Sequence, residues 1–141
     1  MLSSLRIGKV EFIFLLAALM ATTALSIDAV LPALGFMAND FGTSSSEIQL
    51  IITILFVGFV LGQIIFGPLS DRFGRLPSIY AGIVLFILGC VITISAQSLE
   101  VALLGRFIQG IGVSGPRIMV SALVRDCYSG RSMARIMSFV A

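Results

Sequence analysis

Four apolar runs, each long enough to cross a lipid bilayer, follow one another in this 141-residue chain. They cover about 12–38, 48–66, 78–96 and 99–124, and a fifth apolar segment begins near Met133. A hydrocarbon core about 30 Å thick takes about 20 helical residues to span. Lipid offers no partner to a backbone N–H or C=O, so each run has to be helical. The chain is 58% hydrophobic and 11% charged. A soluble domain carries about 25% charged residues, and a globule this small cannot hide so much apolar surface. The pattern predicts an all-α membrane protein with four transmembrane helices plus the start of a fifth, and residues 1–141 form one partial transmembrane domain.

The charges between the runs alternate. Arg6 and Lys9 precede the first, Arg72 and Arg75 separate the second from the third, and Arg125, Arg131 and Arg135 follow the fourth. The other two connections hold Asp40, Glu47 and Glu100 and no basic residue. Basic residues mark the cytoplasmic side, so the N-terminus, the 67–75 segment and the segment after the fourth run are all expected there. The basic leader followed by an apolar stretch also imitates a signal peptide. The apolar part of such a signal is only about 7–15 residues, and this run is far longer.

A net charge of +2, with basic residues confined to short clusters beside the runs, points away from nucleic acid. The chain has no histidine and two cysteines, Cys90 and Cys127, expected at opposite ends of different helices. Neither a metal site nor a disulfide is expected from them. No nucleophile–base pair suggests an enzyme.

Asp28 is the leading functional candidate. It lies inside the first run, where ionisable side chains are rare and face a partner or a water-filled cavity. Pro32 follows at i+4 and has no N–H to give the carbonyl of residue 28, so a kink is expected there. Counting about 1.5 Å per residue puts Asp28 in the outer half of the membrane, and Arg106 of the fourth run at a similar depth. Arg106 is therefore the expected partner of Asp28, with Gln109 at i+3 extending the polar group. With no histidine available, a proton carrier here has to be a carboxylate. Arg117, further along the fourth run, is expected to snorkel to the inner surface. Gly58 with Gly62, and Gly110, Gly112 and Gly115, are small residues suited to close helix packing.

The segment Gly67-Pro68-Leu69-Ser70-Asp71-Arg72-Phe73-Gly74-Arg75 reads as a compact charged turn. It resembles motif A of the major facilitator superfamily, roughly G-x-L-[A/S]-D-R-x-G-R-[R/K]. Gly67, Asp71, Arg72, Gly74 and Arg75 fall at the matching positions, and Leu76 departs where a second basic residue is usual. Arg106 to Gly112 resembles the family's motif B, R-x-x-Q-G-x-G. Ile27 to Leu34 resembles the first-span signature of the twelve-helix drug:proton antiporters. Gly62-Gln63 and Val124-Arg125-Asp126 make the pattern similar to the bicyclomycin/chloramphenicol-resistance (Bcr/CflA) branch.

The resemblance implies the N-terminal portion of a proton-coupled multidrug efflux transporter in a bacterial inner membrane. Such a protein works by alternating access around a central site. It implies proton and substrate coupling by Asp28, Arg106 and Gln109, and a cytoplasmic charge cluster in which Asp71 and Arg75 join Asp126. The implied partners are lipophilic drugs, membrane lipids and the remaining C-terminal helices; the coupling ion is the proton and no cofactor is expected. The likeness covers nearly all of this chain but about a third of a typical member. Two other readings stay open: a complete four-helix exporter acting as a dimer, and a transport-inactive membrane fragment.

Overall fold

The computed structural model describes residues 8–140, so Arg6 lies outside the described residues. Every regular element among them is helical: α1 (Lys9–Asp28), a 3-10 turn (Leu31–Ala33), α2 (Leu34–Phe41), α3 (Ser45–Ile48), α4 (Leu50–Phe73), α5 (Arg75–Ile94), α6 (Leu99–Cys127) and α7 (Gly130–Val140). Four stretches are long and apolar enough to cross a membrane: Lys9–Phe41, Ser45–Phe73, Arg75–Ile94 and Leu99–Cys127.

Local chemistry sets the ends. The second span starts on a capping box, in which the Ser44 hydroxyl accepts from the Glu47 N–H at 3.2 Å and the Glu47 carboxylate accepts from the Ser44 N–H at 2.9 Å. Several helices run past the hydropathy limits. α4 continues from Phe66 to Phe73 with Pro68 inside it, and α5 begins at Arg75 instead of Ser78. The charged 67–75 segment is therefore the last turns of a helix, and the reversal falls on Gly74 alone, at φ 100°. Hydropathy marks where lipid ends, whereas backbone hydrogen bonding continues until a residue such as glycine allows a left-handed break. In the same way α6 extends to Cys127 and α7 starts at Gly130, ahead of Met133.

α6 is the axis of the bundle, with α4 running alongside it in the same direction and α5 against it. The contacts are backbone to backbone. A Cβ placed on Gly82 of α5 would lie 2.7 Å from the Gly112 carbonyl and 2.7 Å from Pro116 Cδ of α6. Gly58 and Gly62 of α4 meet the backbone of Phe107 and Ile111 in the same manner. Without a hydrophobic drive between helices in lipid, this close van der Waals approach is what holds them.

Two apolar clusters fasten the first span to this axis. At one end Leu16 packs with Val120, Val124, Ile136 and Val140. At the other, Ile48, Ile51 and Ala102 gather Val30, Leu34, Met37 and Phe41 of the first span around them. Large apolar side chains such as Phe14, Phe36, Tyr80 and Ile94 stay outside, as a lipid-facing or helix-facing surface requires.

Gly82→Val should destabilise the fold by about 1–3 kcal/mol through overpacking against α6. Gly35→Ala, where a Cβ meets nothing within 4 Å, should be neutral or mildly stabilising. Equilibrium unfolding in mixed micelles checks both, and equal effects of the two would contradict the packing described.

Candidate functional site

A guanidinium sits at the centre of the bundle. Arg106 is 5% exposed, and α6 presents it toward the C-terminal end of α1. One terminal nitrogen donates to the Ser26 carbonyl at 3.2 Å and to Gln109 Oε1 at 2.9 Å. The Gln109 amide in turn donates to Cys90 Sγ of α5 at 3.0 Å. The buried Arg106 Nε has no partner among the described residues.

The Ser26 carbonyl is available because α1 stops. In a continuing helix it would accept from Val30, but the Val30 N–H turns to the Ile27 carbonyl at 3.4 Å. Pro32, inside the 3-10 turn, has no N–H with which to extend the α-helix from Asp28. The break thus strips a carbonyl of its helical donor, and the arginine takes it.

The expected Asp28–Arg106 ion pair is not formed. Asp28 is exposed at the last position of α1, and the ion pairs among the described residues both belong to Arg75. The reason is angular. Successive helical residues turn about 100°, so Asp28 lies about 200° around the axis from Ser26. With Ser26 facing α6, the carboxylate points away from it. Arg106 is nevertheless level with this end of α1, since it binds a carbonyl two residues before Asp28.

Two cavities flank this end of α1. One, of about 260 Å³, is lined by Thr22, Ser26, Val30, Phe86, Arg106 and Gln109. The other, of about 130 Å³, lies between α1, α4 and α6 and includes Thr23, Phe59 and Arg117. Arg117 is exposed, and its guanidinium lies over the Phe59 ring, 5.6 Å from the centroid. Phe59 has its backbone beside Gly110, so the side chain reaches back along α6, as helical side chains lean toward the N-terminus.

The charged motif forms a separate cluster at the far end of α4. Arg75 is its hub: Nε donates to Asp126 at 3.2 Å, and a terminal nitrogen donates to Asp71 at 3.1 Å and to the Ser70 hydroxyl at 2.8 Å. Asp71 and Asp126 are 73% and 51% exposed, so each pair contributes about 0–1 kcal/mol. Arg72 stays outside the cluster and lies over the Phe73 ring at 5.5 Å. Gly67 has open space around its Cα, and Gly74 supplies the reversal. Thr22, Thr23 and Ser26 are polar residues that the sequence suits to lining a cavity, and they line the two described here, while Cys90 and Ser70 are contacts that sequence reasoning does not find. Ser70 and Cys90 were visible as polar or thiol groups beside predicted site residues, but nothing in their spacing announced a contact between helices.

The arrangement offers a fixed buried cation, an exposed acid at a helix break, and two small cavities beside them. It contains no group of three or more metal-binding side chains among the described residues. The family model described as Major Facilitator Superfamily matches residues 14–141. The chain is 36% identical to a chloramphenicol resistance protein from Pseudomonas aeruginosa over 94% of its length and 32% of the relative's. It is 30% identical to a bicyclomycin resistance protein homolog from Haemophilus influenzae, over 92% of the chain and 32% of the relative. It is 29% identical to multidrug resistance protein D from Escherichia coli, over 85% and 30% respectively. The chain spans about a third of the length of the curated relatives it matches.

Gln109→Leu should destabilise the protein by about 1–3 kcal/mol, because it leaves the buried Arg106 short of an acceptor. Adding Arg106→Met should recover most of that loss, since an apolar side chain of similar volume needs no partner. A double-mutant unfolding cycle measures this; strictly additive losses would contradict the coupling.

Proposed function

The chain belongs to the Major Facilitator Superfamily, and from that premise we propose that it is the N-terminal portion of a proton-coupled multidrug efflux transporter. Its relatives named for chloramphenicol, bicyclomycin and multidrug resistance support lipophilic drugs as the substrate class. It is a multi-pass membrane protein and a transporter component, not an enzyme. Its alternating charges support a cytoplasmic N-terminus in a bacterial inner membrane. The remaining helices of the same transporter and the surrounding lipid complete it.

The observation that carries this reading is the helix break at Asp28 beside a buried, unneutralisable guanidinium. Asp28 takes the proton. Arg106 does not face it directly; it holds the same turn of α1 through the Ser26 carbonyl, with Gln109 fixing the guanidinium from the other side. A change of charge on Asp28 alters the hydration of that turn, and a rigid anchor two residues away transmits the change to α6. The drug's apolar body meets the walls of the spans. At the cytoplasmic end, the Arg75 cluster ties α4, α5 and α6 with pairs weak enough to break in each cycle.

In the transporter carrying this segment, Asp28→Asn should abolish substrate-driven proton movement, and Arg106→Ala should reduce it about tenfold or more through loss of a charged hydrogen bond. Proton release on substrate addition, followed with a pH dye in proteoliposomes, is the measurement. Undiminished release in Asp28→Asn would reject the proton role.

A further inference from the structure

The smaller cavity, between α1, α4 and α6, is used by neither the proton carrier nor its anchor. Its volume is about 130 Å³, and its walls include Leu55, Phe56, Phe59 and Val113. Two polar groups open onto it, one without a hydrogen-bond partner and one without an anion. The Thr23 hydroxyl is buried, at 6% exposure, and makes no hydrogen bond among the described residues. Arg117 forms no ion pair among the described residues. Ser26, also on the wall, commits its hydroxyl to the Thr22 carbonyl at 2.6 Å, which leaves Thr23 as the free donor.

We propose that this cavity binds one aromatic ring carrying an anionic substituent, with Arg117 holding the charge and Thr23 a second oxygen. The proposal deepens the transport reading and rests on it for its use in the cell, but the binding itself needs no proton gradient. Size suits a ring: a cavity of about 150 Å³ lined by apolar side chains accommodates benzene. This one is of that order and partly open, so it seats one ring with a substituent projecting toward the exposed Arg117. The Phe56 and Phe59 side chains supply apolar walls for that ring.

Charge fixes the substituent. Arg117 is an exposed guanidinium on an apolar span, and a cation there needs an anion or water beside it. Phe59 covers one face of the guanidinium, which leaves the N–H edge to meet a carboxylate in the two-bond geometry that arginine favours. A ligand bearing an ammonium group meets an unneutralised positive charge there and is disfavoured.

The test uses the full chain in lipid nanodiscs with 4-fluorobenzoate and 4-fluorobenzylammonium as probes, read by fluorine NMR at neutral pH without a gradient. The benzoate should bind at least about tenfold more tightly than the benzylammonium. Arg117→Gln should erase that preference, and Arg117→Lys should keep part of it, which separates lost charge from lost folding. Thr23→Val should weaken the benzoate by about two- to tenfold without changing the charge preference. Asp28→Asn should leave probe binding intact even where it abolishes coupled export, so the two readings fail separately. Equal affinity for the two probes, or unchanged benzoate binding in Arg117→Gln, overturns the proposal.

Discussion

The hydrogen bond from Arg106 to the Ser26 carbonyl is the interaction around which this bundle is organised. A guanidinium at this depth cannot shed its proton, and leaving it without acceptors in an apolar interior is costly. An unbroken α1 would offer it none, because every carbonyl in mid-helix is already used. The break that follows Asp28 provides one, and Gln109 provides the second. Pro32 and Arg106, far apart in the chain, thus solve one problem between them. The helix break ahead of Pro32 turns the Val30 N–H away from the Ser26 carbonyl, and the arginine takes that carbonyl.

That solution depends on helices that come very close. α6 lies backbone to backbone with α4 and α5, through small residues on all three helices. Such contacts define position along the axis sharply, since a shift of one residue would replace glycine by a bulky side chain. Apolar clusters close the bundle at both ends of the first span, while between them Arg106 bonds the Ser26 carbonyl and the two cavities flank the helix.

The amino-acid sequence made the architecture legible, because lipid leaves a chain so few choices. Four spans and the depth of Arg106 relative to the end of α1 follow from counting residues. Azimuth does not follow from counting. Asp28 and Ser26 are nearly level, yet they point to different sides of α1, and only packing decides which one meets α6. The charged 67–75 segment reads as a turn but is helical for a related reason: polarity reports the edge of the membrane, while Gly74 alone ends the helix. Distance along α6 likewise does not disclose that the backward lean of helical side chains lays Arg117 over the Phe59 ring. Gly82 and Gly89 of α5, as close to α6 as the glycines of α4, are spaced too widely to stand out as a pair. The charge cluster of Arg75 with Asp71 and Asp126 is the one the resemblance implies; the Ser70 hydroxyl that Arg75 also binds is not part of that expectation.

The account is tested most directly at the carbonyl of Ser26. Isotope-edited infrared spectroscopy of the chain in lipid, with carbon-13 placed at that carbonyl alone, reports its hydrogen bonding. A guanidinium donor lowers the carbonyl frequency, so replacing Arg106 by methionine should raise it, with no comparable change at a label on Leu15. An unchanged Ser26 band would mean that the arginine does not hold the end of α1, and the organisation described for this bundle would be wrong.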